Sequence, residues 1–386
     1  MVSRYICIYL FVDLACAILA GSLLLQVGED FGTKDEVDSF RRLSIVFLIY
    51  LVTDVAWMVS GYDIVSLPRA CDYVLCGLSL FALSPVYYCW AAYVELRLDS
   101  RISHSRAARV LSRVPMAVML VIVVSSLFTN AAFFIDDQGL YQHGPLYWVT
   151  LVCSVGYVAF ATAHTLRNAL VARSRTKRDR YLDLAVCGIG PVIASALLLV
   201  VGSSVITSLG MTSAIFLVFC ACQKDSIYSD ALTGLNNRRR ADEFFESRLS
   251  LVSNERPLSV MMCDVDKFKS INDIYGHDVG DKALMLVGAS LKDMGDDIDG
   301  LIARWGGDEF LVISQGEGLS AEGVESRLNA SIERACERDG LPFSFRVSVG
   351  GTVCREPSMS LDDATLAADR VLYQHKHART RGGATA

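Results

Sequence analysis

Leu301-Ile-Ala-Arg-Trp-Gly-Gly-Asp-Glu-Phe-Leu-Val-Ile-Ser314 reads as two short apolar runs around a Gly306-Gly307-Asp308 turn, the pattern of a β-hairpin. Two glycines permit tight backbone geometry and close approach of a ligand. Upstream, Leu258-Ser-Val-Met-Met-Cys-Asp264 reads as a buried strand that ends in an acid. Phe345–Val353 reads as a fourth strand, and helical patterns fall at about 238–252, 281–293, 320–337 and 361–377. Strands and helices in this mixture predict an α/β domain with its acids gathered at a turn.

This domain is only part of the chain. Over 386 residues, 52% are hydrophobic and 20% charged, with a mean hydropathy of +0.37. Residues 1–222 carry 31 charges and a net +1, whereas the 164 residues of 223–386 carry 47 charges and a net −7. Two materials in one chain exclude disorder, a disulfide mini-protein and a single soluble domain. Nine of the twelve cysteines lie in the apolar half and no C-x-x-C pair exists, so they read as small hydrophobes rather than a metal or redox site.

Seven apolar stretches occur at about 5–27, 43–60, 72–95, 115–134, 146–166, 182–201 and 204–222. About 20 helical residues cross a hydrocarbon core, so the first half is expected to be an all-α membrane bundle of about seven helices in a lipid bilayer. Arginines at 97, 101, 106, 109 and 113 crowd one loop; Arg167, Arg173, Arg175, Lys177, Arg178 and Arg180 crowd another. The stretch around Asp136–Gly144 between them has neither Lys nor Arg. The positive-inside rule puts the two basic loops in the cytoplasm. Seven spans then place the amino terminus outside and residues 223–386 inside. The first stretch has no clear cleavage site and reads as an anchor rather than a signal peptide. Two acids, Asp13 and Asp54, fall within spans at similar depth in the outer half. Intramembrane acids are expensive, which makes both candidates for sensing, the alternative being helix packing. Residues 1–222 are thus expected to sense or anchor, 223–229 to link, and 230–386 to carry the chemistry.

In that last segment, Asp308 and Glu309 follow the two glycines, and Asp264 can supply a third carboxylate. Hard cations such as Mg²⁺ take one or two carboxylates together with substrate phosphates.

Arg304-Trp-Gly-Gly-Asp-Glu-Phe310 resembles the signature of the GGDEF diguanylate cyclases. Asp230-Ala-Leu-Thr-Gly-Leu-Asn-Asn-Arg-Arg239 is similar to the family's opening motif, and Asp264–Asp281 to its long nucleotide-binding motif. Ser348-Val-Gly350 fits the late strand; Ala368-Asp369, Leu372-Tyr373 and Lys376 fit the terminal helix. The resemblance covers about residues 226–381 in order.

It implies a palm-like, ferredoxin-like fold with a central antiparallel sheet. It implies that two GTP molecules condense to cyclic di-GMP and two pyrophosphates across a homodimer, with two Mg²⁺ or Mn²⁺ ions per site and no nucleic acid partner. By position, Asp264, the Val265 carbonyl, Asp308 and Glu309 would hold metal, and Asp308 and Glu309 would be catalytic. Gly306, Gly307 and Phe310 belong to the signature turn. Asn272 and Asp281 would recognise guanine, and Lys267, Phe268 and Lys269 would surround phosphate. Lys376 would oppose the triphosphate. His277 would touch the nucleotide or hold a loop, while Asp266 and Asp273 read as structural.

The sequence departs from the family twice. Thr380 stands where a phosphate-binding arginine is usual, leaving Arg379 or Arg381 to compensate or phosphate binding weaker. Asp297 and Gly300 stand where an inhibitory product site needs Arg and Asp, so product inhibition through that site is not expected. Alternative readings are a GTP or cyclic di-GMP receptor without turnover, and a membrane receptor or transporter with the C-terminal domain as output. The expected location is a bacterial inner membrane with the C-terminal domain cytoplasmic.

Overall fold

A computed structural model describes the chain except residues 1, 29–30, 63, 137–140, 173–174, 202, 296–297, 317, 340–342 and 383–386; the side chains of 2–3, 175–177, 199, 201, 225 and 378–382 are also outside the description. The chain divides into two compact units, Met1–Gln223 and Lys224–Ala386.

The first unit contains α1 (Val2–Gln26), α2 (Lys34–Gly61), α3 (Arg69–Arg97), the short α4 (Arg101–His104) and α5 (Arg106–Leu111), α6 (Val114–Thr129), β1 (Phe133–Ile135), β2 (Tyr141–His143), α7 (Tyr147–Val171), α8 (Arg175–Val201) and most of α9 (Ser204–Tyr228). Among the described residues, seven helical segments are long and apolar enough to cross a membrane. Their outer faces expose Ile8, Phe11, Ile18, Val121 and Phe128, as a lipid-facing surface should. Inward faces carry Trp90, Tyr87, Tyr93, Phe40 and Phe47, all buried. Lipid offers no hydrophobic drive for helix association, so close backbone approach matters. Gly190 and Gly210 provide it between α8 and α9, where a Cβ on Gly210 would stand 2.3 Å from that of Ala194.

Two sequence expectations need correction here. The fourth span stops at Thr129 rather than 134, because Asn130 takes a left-handed conformation (φ +55°) that ends α6. Phe133–Ile135 then pairs antiparallel with Tyr141–His143. Residues 223–228, expected as linker, continue α9 to Tyr228. Their polar side chains suit a helix leaving an apolar environment as well as they suit a loop.

The second unit contains β3 (Asn236–Asn237), α10 (Arg238–Leu249), β4 (Leu258–Val265), α11 (Phe268–Tyr275), α12 (His277–Gly295), β5 (Gly300–Gly306), β6 (Glu309–Gln315), α13 (Ala321–Asp339), β7 (Val347–Cys354) and α14 (Leu361–Gly382). Strand order is β3-β5-β6-β4-β7, antiparallel except for the short β3–β5 pair. Central β4 is apolar apart from Ser259 and Asp264, because both of its faces are covered. Met261, Cys263 and Val265 face one core with Phe310 and Val347, while Val260 and Met262 face another with Ala364, Ala368 and Leu372. Phe310 is fully buried; truncation to Ala would cost about 3–5 kcal/mol.

Gly350 lets α14 approach β7. A Cβ there would meet the Leu372 nitrogen at 2.3 Å and the Ala368 carbonyl at 2.4 Å. The outer edge of β7 is covered by α13. Asn329 accepts from the Val347 N–H and donates to its carbonyl, both at 2.8 Å, and Glu325 accepts from the Val349 N–H at 3.0 Å.

Candidate active site

The strand register gathers the acids. On β4, Asp264 lies opposite Glu309 of β6 and opposite Ser348 of β7. The Val265 N–H donates to the Asp308 carbonyl at 3.3 Å, tying the turn to the strand end. Sequence positions 43 and 45 residues apart thus become neighbours because both strands end at the same rim of the sheet.

Lys376 arrives from α14, whose approach Gly350 permits. Its ammonium pairs with Asp264 and stands 3.5 Å from Asp266. Asp266 also accepts from the Ser348 hydroxyl at 2.8 Å, while its N–H donates to the Arg346 carbonyl, in keeping with a structural part.

The charges strain one another. Partial burial raises the Asp264 carboxyl above its ordinary range; Lys376 opposes the rise, and Asp308 and Asp266 add to it. Burial likewise raises Glu309, followed by repulsion from Asp264, Asp308 and Asp369, with Lys376 opposing. A site whose carboxylates are pushed towards protonation gains by receiving a cation.

The donor set fits a hard divalent ion. Two carboxylates in register and a nearby main-chain carbonyl leave the remaining positions to water and phosphate, the pattern Mg²⁺ takes at nucleotide sites. Among the described residues no cluster of three His, Cys, Asp or Glu side chains is arranged as a complete cage.

The signature turn is held from outside the hairpin. Gly307 has φ +40°, a conformation that favours glycine, and the pairing register shifts between Arg304 and Gly306. The Arg304 guanidinium donates twice to the Gly307 carbonyl, at 3.0 and 2.7 Å, and forks onto Asp230 at 3.1 and 3.2 Å. Asp230 also receives the N–H and hydroxyl of Thr233 at 2.8 and 2.7 Å. Burial alone would raise this carboxyl, but the hydrogen bonds from Thr233 and Arg304 outweigh it and hold the group below its ordinary range. A second tie sets the Arg238 guanidinium 4.3 Å from the Trp305 ring centre. Sequence reading quoted both motifs but missed that one clamps the other; the only available signal was an Asp and an Arg at their ends.

The stretch after β4 folds as two helices, α11 and α12, around Gly276 (φ +86°). Lys267 sits at the start of α11 in a left-handed conformation (φ +55°), which turns the chain sharply after β4. Asn272 has a buried Oδ1 with no hydrogen-bond partner. Gly280 leaves room for it, since a Cβ there would stand 1.8 Å from that oxygen. An orphaned buried acceptor is costly unless a ligand supplies a donor. Phe268 is half-buried, whereas Lys267, Lys269, His277 and Asp281 are exposed. The side chains of Arg379, Thr380 and Arg381 lie outside the described residues, as does Asp297; Gly300 opens β5.

In the bundle, Asp13 and Asp54 are each 1% exposed. Asp54 accepts from Ser79 at 2.8 Å, Ser204 at 3.2 Å and Tyr9, whereas neither oxygen of Asp13 has a partner among the described residues.

Residues 227–381 match the family model for the diguanylate cyclase GGDEF domain, and residues 9–235 match that for the N-terminal 7TM region of histidine kinase. Diguanylate cyclase DgcP of Escherichia coli (strain K12) is 35% identical over 155 residues, 39% of this chain and 44% of that one. Diguanylate cyclase DgcM of the same strain is 32% identical over 152 residues, 39% of this chain and 36% of that one. The chain thus spans less than half the length of these curated relatives. A sensory box/GGDEF family protein from Caulobacter crescentus CB15 is 27% identical, covering 39% of this chain and 99% of that structure, with a TM-score of 0.33. The chain belongs to the family built on the N-terminal 7TM region of histidine kinases, and it joins that region to a GGDEF domain.

Proposed function

We propose that the chain is a membrane-anchored diguanylate cyclase that condenses two GTP to cyclic di-GMP and two pyrophosphates. The observation that carries this reading is the register of Asp264 opposite Glu309, beside a glycine turn and a lysine suited to phosphate. The unpartnered Asn272 Oδ1 supports a purine edge with an N–H donor as the group bound nearby.

Each subunit holds one GTP, and a homodimer places two such sites face to face. The 3′-hydroxyl of one GTP attacks the α-phosphorus of the other, the bond to pyrophosphate breaks, and the exchange repeats in the opposite sense. Two Mg²⁺ or Mn²⁺ ions per site, held by Asp264, the Val265 carbonyl, Asp308 and Glu309, would supply Lewis-acid charge on the phosphate oxygens. Asp308 accepts the hydroxyl proton. Asn272 and Asp281 hold the guanine, with His277 at the start of α12 beside them. The turn of Lys267, Phe268 and Lys269 receives phosphate, and Lys376 exchanges part of its contact with Asp264 for the triphosphate.

The division near residue 222 separates input from chemistry. Basic loops orient the bundle in a bacterial inner membrane with the GGDEF domain in the cytoplasm.

The full chain in lipid nanodiscs, given GTP and Mg²⁺, is expected to release cyclic di-GMP and pyrophosphate in a ratio of one to two. GTP binding without either product would replace the cyclase with a nucleotide receptor, the reading that Thr380 at the usual arginine position favours.

A further inference from the structure

A cavity of about 210 Å³ lies at the end of the bundle where α1, α3, α7 and α9 begin and α2 ends. This is the end opposite to Gln223, where the first unit finishes. Aromatic rings form much of its wall: Tyr5, Trp57, Tyr62, Tyr141 and Tyr147. Trp57 and Tyr141 meet edge to face at 5.8 Å, and Tyr5 and Tyr62 stand 6.3 Å apart. Tyr141 comes from the β1–β2 hairpin, so a segment outside the helices completes the wall.

One wall residue is an acid. Asp54 is buried and is solvated by three hydroxyls, of Tyr9, Ser79 and Ser204. No Lys or Arg among the described residues pairs with it. The Asp13 carboxyl lies close enough to interact with it and brings a second acid, not a cation. Hydroxyls can orient a carboxylate, but they do not cancel its charge. His143, also in the wall, adds no cation: burial holds its imidazole below the ordinary range, and it stacks on Tyr147 at 3.7 Å.

A cavity with aromatic faces and one uncompensated carboxylate is complementary to an ammonium group. Ring quadrupoles attract a cation at their faces, and this attraction grows when water is excluded. An inorganic ion would draw on the carboxylate but leave the aromatic wall unused. The volume is below the roughly 300–1,000 Å³ of drug-sized sites, which calls for a compact molecule.

We infer that this cavity is a binding site for a small organic ammonium ion, held by Asp54 and the surrounding aromatic rings. The side of the membrane it faces follows from the orientation proposed above; the ligand class does not depend on it, nor on GTP turnover.

The test is thermal unfolding of the full chain in nanodiscs with choline, with phenethylammonium, and with dimethylbutanol, the neutral carbon isostere of choline. At least one cation is expected to raise the unfolding midpoint saturably, and the neutral isostere to leave it unchanged. Asp54→Asn should weaken the apparent affinity about tenfold or more. Trp57→Leu should weaken it as well, while Trp57→Phe keeps most of it. If Asp54→Asn does not fold, the Trp57 pair decides. Failure of both cations to stabilise the wild type overturns the inference. So does equal stabilisation by dimethylbutanol, or wild-type affinity in Trp57→Leu.

Discussion

Asp54 in the bundle and Asp264 in the GGDEF sheet are both acids drawn out of water, and the chain answers them differently. Asp54 receives three hydroxyls and no cation among the described residues, whereas Asp264 receives the Lys376 ammonium and stands among other carboxylates. Hydroxyl partners lower the cost of burial yet leave the charge to be met from outside. A lysine meets the charge from within, so under the proposed function a metal and nucleotide would have to reorganise an existing pair. The first arrangement suits capture of a cation; the second suits a site that assembles only when anion and cation arrive together.

The largest expected effect tests the chemical half of that contrast. Asp308→Ala or Glu309→Ala in the full chain should lower cyclic di-GMP formation at least about 10²-fold, measured by product chromatography with GTP and Mg²⁺. Turnover at wild-type rate would remove these acids from the mechanism.

Next comes the clamp. Arg304→Ala deletes the contacts to the Gly307 carbonyl and to Asp230. A loss of about 1–3 kcal/mol in GGDEF-domain stability is expected, with turnover falling about 10–10²-fold as the turn loses its position. Denaturant unfolding and rate measurements on one preparation separate the two effects.

A smaller effect has the opposite sign. Glu309 is raised above its ordinary 4.5 by burial and then by neighbouring acids. Its contribution to metal-free stability is therefore full below 4.5 and lost as pH rises through the elevated value. Glu309→Gln should melt higher than wild type at neutral pH without metal, and that advantage should vanish towards acid pH. A variant less stable than wild type at neutral pH would show that the repulsion is already relieved. The smallest effect is none at all: cyclic di-GMP added during turnover should cause no inhibition traceable to residues 297–300, because Gly300 offers no side chain where the inhibitory site needs an acid.

Much of the architecture could be read directly. Seven spans follow from unbroken apolar length, and β4 through β7 follow from short apolar runs bounded by glycines and acids. What stayed hidden depended on contacts between distant residues. The Asp230–Arg304 clamp joins positions 74 apart, and the cavity draws its residues from seven helices and a hairpin. The hairpin was concealed because Phe133–Ile135 continues the apolar run of α6, and only the left-handed Asn130 separates them. Helix α11 was missed because its few apolar residues lie among polar motif residues, too short a run for periodicity to stand out.

One edge of the GGDEF sheet bears on how copies of this protein can meet. A bare edge strand is a template for another chain, and an unprotected β7 would invite sheet extension and aggregation. At its first residues Asn329 and Glu325 already occupy the Val347 N–H and carbonyl and the Val349 N–H, imitating a neighbouring strand with side chains. A second copy that added itself there would first have to evict them. Self-association at this edge is thereby discouraged, and encounters between copies are left to surfaces where side chains, rather than backbone, choose the partner.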